Sequence, residues 1–298
     1  MMKLKMIAAV AGTLVTANVY AQETFNFEGA VFNNSLKADD NTKQSGTLFG
    51  GTYYFKPVIL NNSQPFNELD FLQKASSVSV ITGSLNIEDD DFVKTTLKPV
   101  GISGKVYIDK LVLGLSTDSW DSNFNLKSNT DRYYGIKTTS NKFDIGYFVT
   151  DNTVLSFHNT SSNASYTRST TALTTINDLK KTSNGVSTHT VMSLGGTQSL
   201  VLDFAYGQIK RDQTTSQTNR EYGVDVRYYP ESKYFFEVGY SNNTGDYARE
   251  KGSTMNYGAG ITITPRFGLM LSSKKFNVSD STQKTGYSST TLMAGYRF

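Results

Sequence analysis

Two histidines, His158 and His189, are the only imidazoles in 298 residues, and there is no cysteine. Hydrolytic catalysis commonly needs a nucleophile or activated water beside a His that a third polar group orients. Ser156-Phe157-His158-Asn159 and Thr188-His189-Thr190 are therefore where such chemistry would sit. Ser156 and His158 are two residues apart, which puts both on one face of a strand. Both histidines also fall on the polar face of an alternating pattern, so the plainer reading is two polar wall residues, and no catalytic residue is expected. Glu88-Asp89-Asp90-Asp91 offers carboxylate oxygens to a divalent cation. It lacks the spaced ligands and glycine of a calcium loop, and an acidic tip is ordinarily just solvated. Without cysteine, disulfides, thiolate zinc sites, iron–sulfur clusters and thiol nucleophiles are excluded. No metal site or cofactor is expected. Lys and Arg total 29 against 26 Asp and Glu, a net of +3, which lacks the basic excess of a nucleic-acid binder.

The elements that would carry these residues are strands. Almost everything after Gln22 alternates with period two. Phe25, Phe27 and Val31 share one face against Thr24, Asn26 and Glu28, and Leu111, Leu113 and Leu115 repeat the pattern. So do Phe143, Ile145 and Tyr147; Leu200, Leu202, Phe204 and Tyr206; and Tyr222, Val224, Val226 and Tyr228. Tyr234, Phe236, Val238 and Tyr240 oppose Lys233 and Glu237; Tyr257, Ala259, Ile261 and Ile263 oppose glycines and threonines. Short connections at Asp109-Lys110, 150–152, 195–198, 230–232 and Pro265-Arg266 alternate with longer polar ones near 33–44, 87–95, 121–132, 162–184, 211–217, 242–252 and 277–284. With a connection at 56–75, this predicts an all-β, antiparallel, up-and-down barrel of about 14 strands, with 12 to 16 compatible with the pattern.

A soluble sandwich alternates too, but its turns are short at both ends. Here one end has the short turns, and aromatics crowd it: Tyr53-Tyr54-Phe55, Tyr147-Phe148, Tyr228-Tyr229, Tyr234-Phe235 and Phe267. That is the placement of an interfacial girdle. A lipid-embedded sheet must close on itself, because lipid offers no hydrogen bonds to an edge. Residues 1–21 read as a cleaved signal peptide, with Lys3 and Lys5 before an apolar core and Ala21 before the cut; 22–298 form the barrel domain. The mature charge is then +3 − 2 = +1. The last strand sets Leu292, Ala294, Tyr296 and Phe298 against Met293, Gly295 and Arg297.

That ending, with Leu292, Tyr296 and Phe298 as its motif, resembles the terminal recognition strand of Gram-negative outer-membrane proteins, and the whole alternating chain resembles their porin-like members. The resemblance implies location in the bacterial outer membrane. It implies partners among outer-membrane lipid and lipopolysaccharide, the barrel-assembly machinery and periplasmic chaperones. General porins of that kind are sixteen-stranded trimers, so a count near 14 leaves monomer and homo-oligomer both open.

The function this predicts is a channel passing small hydrophilic solutes by diffusion. Glu28, Lys105, Lys142, Asp144, Asp203, Asp225, Arg227, Lys233, Glu237 and Arg297 would line its pore, five charges of each sign. Small residues on the same face (Gly114, Gly146, Gly207, Gly239, Gly258, Gly260 and Gly295) predict an open bore. An outer-membrane enzyme, through His158 or His189, and a structural or adhesive barrel are the alternatives. The 56–75 segment is too long for a turn. Phe66, Leu69 and Leu72 lie at helical spacing after Pro65. They predict a short helix that either caps or enters the mouth of the barrel, or packs on a surface outside the pore.

Overall fold

The computed structural model describes residues 23–38, 42–88, 95–126, 129–169, 174–212, 217–245, 251–278 and 286–298. Residues 1–21, which the sequence reads as a signal peptide, and residues 89–91 of the acidic run lie outside them. The strands are β1 (Thr24–Ala38), β2 (Lys43–Ile59), β3 (Ser77–Glu88), β4 (Thr95–Leu97), β5 (Val100–Ile108), β6 (Leu111–Leu126), β7 (Asn129–Thr150) and β8 (Thr153–Ser169). They continue with β9 (Thr174–Gly195), β10 (Gln198–Asp212), β11 (Gln217–Glu231), β12 (Tyr234–Gly245), β13 (Gly252–Thr264), β14 (Phe267–Val278) and β15 (Tyr287–Arg297). Consecutive strands pair antiparallel, except that β4 and β5 both pair with β3, and β15 returns to pair with β1 from Glu28↔Arg297 to Ala38↔Tyr287. β4 and β5 both lie against β3, Leu85↔Leu97 and then Thr82↔Val100, so they are one stave interrupted at Lys98-Pro99. Proline has no N–H for the ladder. The result is a closed barrel of 14 staves with no free sheet edge.

The two faces follow the alternation. Phe143, Ile145 and Tyr147 point outward, as do Tyr222, Val224 and Tyr228, and Tyr234, Phe236, Val238 and Tyr240. Such an apolar outer band is unsuited to water and suited to lipid. Two features differ from the sequence expectation. The polar stretches 121–132 and 162–184 are largely paired strand: β6 and β7 stay in register up to Asn125↔Tyr133, and β8 and β9 up to Ser169↔Thr174. Apolar alternation marks only the part of a strand that faces lipid. Beyond it, Ser, Thr, Asn and Tyr sustain the ladder without an apolar stripe.

The second difference is at the short-turn end, where the aromatic doublets divide between the faces. Tyr53 and Phe55, Tyr147, Tyr228 and Tyr234 point out, as a girdle requires; Tyr54, Phe148, Tyr229 and Phe235 are buried inside. Phe25, expected on the outer face with Phe27, is also buried inside, because an irregularity between Phe25 and Phe27 shifts the pairing with β2. A bulge re-aims the side chains that follow it.

These inward rings pack on the connection between β2 and β3. After Pro65, a 3-10 turn (Phe66–Glu68) runs into α1 (Leu69–Leu72), and Phe66, Glu68, Leu69 and Phe71 are all buried. α1 closes in a Schellman arrangement: Ala75 N–H donates to Asp70 O (2.8 Å) and Lys74 N–H to Phe71 O (3.0 Å). Lys74 takes the left-handed conformation there, at φ +50°. Glycine usually fills that position. Lysine instead reaches the Asp151 carboxylate in the β7–β8 turn (3.8 Å) and lies over the Phe148 ring (4.7 Å to its centroid).

Candidate functional site in the plugged lumen

The segment between β2 and β3 enters the short-turn end of the barrel and lies across it, so of the placements open from the sequence it takes the lumen. Two apolar clusters hold it. Phe66 and Leu69 pack with Phe25, Tyr54 and Val58 on the β1–β2 wall. Phe71 packs with Phe148, Val154, Val191, Tyr229 and Phe235 across the bore. The Phe71 ring stacks on Phe148, centroids 5.2 Å apart, and meets the His189 ring edge-on at 4.3 Å. The ends are pinned by backbone and side-chain bonds. Phe66 N–H donates to Ser232 O in the β11–β12 turn (3.1 Å), and Gln73 exchanges two bonds with the Ile59 backbone.

Glu68 is the polar centre. Its Oε1 accepts from Arg227 Nη1 (2.5 Å) and from the Tyr229 hydroxyl (3.1 Å), and its Oε2 lies 3.2 Å from His189 Nε2. The last approach is a charge contact rather than a well-directed hydrogen bond. His189 Nδ1 is 2.6 Å from Asp203 Oδ1, and Arg227 Nε donates to Glu237 (2.9 Å) from the directly opposite register position. Asn256 Nδ2 ties Asp225 (2.6 Å) and Glu237 (3.2 Å) into the same network. Across the barrel, Arg297 Nε reaches Glu28 (3.4 Å) while its Nη2 donates to Phe66 O (3.1 Å) and Asn67 Oδ1 (3.4 Å). A buried carboxylate stripped of water is tolerable only with such partners. Asp70, on α1, has fewer. Burial raises its carboxyl above the usual carboxylate range and Glu68 adds to this, while Lys105 opposes it.

Of the residues singled out from the sequence, Glu28, Asp203, Asp225, Arg227, Glu237 and Arg297 therefore converge at the plug. Lys142 and Asp144 pair with each other elsewhere on the wall (2.9 Å), and Lys105 lies over the Tyr107 ring. Lys233 is not on the wall. It sits in the β11–β12 turn, where its carbonyl accepts from Thr262 N–H. Leu292 and Phe298 point outward near the β15–β1 seam, with Phe298 bonded to the Phe27 backbone and its ring 4.8 Å from that of Tyr296. Ser156 and His158 do share a face but lean apart. Ser156 sits over Gly146 on β7 and His158 over Gly185 on β9.

The inward glycines do not leave an open bore. A Cβ at Gly260 would strike the Phe235 ring, one at Gly239 would strike Asp225 and Asn256, and one at Gly146 would lie 2.6 Å from Ser156 Oγ and Val112. These three are sockets that let neighbouring side chains lean across the wall. Glu68, Tyr229, Phe71, Asn67 and Asp70 were not anticipated as site residues. The available signal was two acids within a short apolar helix, on a connection too long to be a turn.

No family model matches the sequence, and no curated protein matches it. Among solved structures, the chain is similar to the Acinetobacter baumannii outer membrane protein Omp33, at 16% identity over 93% of this chain and 100% of that one, with a TM-score of 0.54. The Ralstonia pickettii toluene transporter TbuX superposes at 0.55, with 9% identity over 92% and 90%. The monoaromatic hydrocarbon channel CymD also superposes at 0.55, with 11% identity over 93% and 90%. The chain has the fold of these outer-membrane β-barrels.

Proposed function

We propose that the protein is a bacterial outer-membrane channel through which small hydrophilic solutes diffuse passively. The observation that carries this reading is the division of one closed wall into an apolar exterior and an ionised interior. The exterior matches a hydrocarbon slab, and the interior holds Lys142, Asp144, Asp203, Arg227 and Glu237, which need water or one another. Eight staves leave an interior just filled by side chains and sixteen to eighteen an aqueous channel; 14 with a plug is a narrow one. Channels and transporters among the structural neighbours support the same reading. His189 is engaged by two carboxylates and a phenyl ring, which supports an anchoring role for it over hydrolysis. Residues 1–21 would direct export and be removed. The barrel-assembly machinery and periplasmic chaperones would deliver the chain, and lipid and lipopolysaccharide would surround it.

The experiment is swelling of liposomes containing the refolded protein in sugars of graded size. Entry of small sugars with a sharp decline for larger ones is expected. Exclusion of even the smallest would overturn the diffusion reading.

A further inference from the structure

The plug does not fill the lumen evenly. Toward β7–β9 it packs directly on the wall, with Phe71 on Phe148 and edge-on to His189. Toward β14, β15, β1 and β2 a cavity of about 320 Å³ remains, bounded among others by Thr52, Tyr54, Asp70 and Phe235. A second cavity of about 30 Å³ continues from it to the β13–β14 turn, reaching Arg266 and Gly268. Glu28, Asn67, Met270, Met293 and Arg297 border both, so the two are successive stretches of one crevice between plug and wall. The lower stretch has room for about two waters. It is narrow where Arg297, held by Glu28, reaches across to the Phe66 carbonyl and the Asn67 side chain.

We infer that solutes pass the docked plug along this crevice, with the throat formed by Arg297 of the wall and Asn67 of the plug. The inference rests on the channel reading and adds to it a route and a selecting position. A solute leaves the barrel interior past the carboxylates of Asp70 and Glu28 and the guanidinium of Arg227, and then meets the guanidinium groups of Arg297 and Arg266. Arg297 and Asn67 are specificity-determining in this account, because their hydrogen-bonded side chains (3.4 Å) bridge wall and plug at the narrow stretch and a solute must pass beside that bridge. The plug stays docked during conduction, held by contacts that do not border the crevice: Phe71 on Phe148 and His189, Glu68 on Tyr229, and the two Gln73–Ile59 bonds.

The chain has no cysteine, so one introduced thiol is unique. Asn67→Cys places it at the throat, where Arg297 loses the Asn67 acceptor but keeps Glu28 and the Phe66 carbonyl, and Asn62→Cys places it on the same connection outside the crevice; both positions are exposed. Single-channel current is recorded before and after treatment with a bulky methanethiosulfonate, with labelling checked by mass spectrometry. Labelling at position 67 is expected to lower conductance, because the added group narrows the constriction, and labelling at 62 to leave it unchanged. Asn67→Ala, which removes one side of the throat, is expected to raise conductance. Unchanged current after verified labelling at 67, a thiol there that the reagent cannot reach, or an equal loss at 62 would overturn the route. A wild-type protein with no current at all would instead overturn the channel reading, and the route with it.

Discussion

Glu68 meets three polar side chains from the wall, and it is the plug's one acid with such a set of partners. Removing it leaves Arg227 and Tyr229 with an unmet bond each, although Arg227 keeps Glu237. Glu68→Ala should therefore weaken plug docking by about 1–3 kcal/mol. Limited proteolysis of the 60–76 segment in the folded barrel is the check, and faster cleavage than in wild type is the expected result. Asp70 makes docking depend on pH. Its docked carboxyl titrates above the ordinary range because burial disfavours the anion and Glu68 repels it, with Lys105 only partly compensating. The docked form thus binds the proton more tightly than the undocked one. Its contribution is full at acid pH and is lost as pH rises from the ordinary carboxylate value through the raised one. Asp70→Asn has no such titration. The difference in protease sensitivity between wild type and Asp70→Asn should grow across that window, and a constant difference would contradict the assignment.

At the scale of the strand, the division of faces is the property to test. Val238 points into the lipid band, while Ser272 lies on the inward face with Met270. An Arg at mid-membrane facing lipid costs about 2–4 kcal/mol and far less toward the lumen. Val238→Arg should depress the refolding yield in lipid vesicles well beyond Ser272→Arg, and equal yields would place the register wrongly. Gly260→Ala should cost about 1–3 kcal/mol by overpacking against Phe235, read as a lower midpoint of urea unfolding. These faces were legible in the sequence because period two is written directly in runs such as Tyr234, Phe236, Val238 and Tyr240. The inward members of the doublets were not. Phe148, Tyr229 and Phe235 have the polarity of girdle residues, and nothing in the local pattern says that a plug waits to receive them. Phe25 escaped for a related reason, since a bulge changes parity without changing composition. The long hairpins at the other end were missed because hydropathy reports the lipid band rather than the length of the ladder.

At the scale of the whole molecule, the charges predicted to spread around a wall instead gather where the plug docks. A carboxylate–guanidinium network spanning β1, β9 to β12 and β15 could not be read locally, because its centre, Glu68, lies between strands in sequence and between walls in space. The outline of the barrel came from periodicity; the state of its bore came from tertiary packing. On the proposed channel function, a bore occupied by 60–76 should carry less current than the same barrel without that segment. The direct measurement is planar-bilayer conductance of wild type beside a variant in which 61–73 are replaced by a short Gly/Ser linker. The account predicts small discrete steps for wild type and steps several-fold larger for the variant. Identical conductance in the two, or none in the variant, would contradict it.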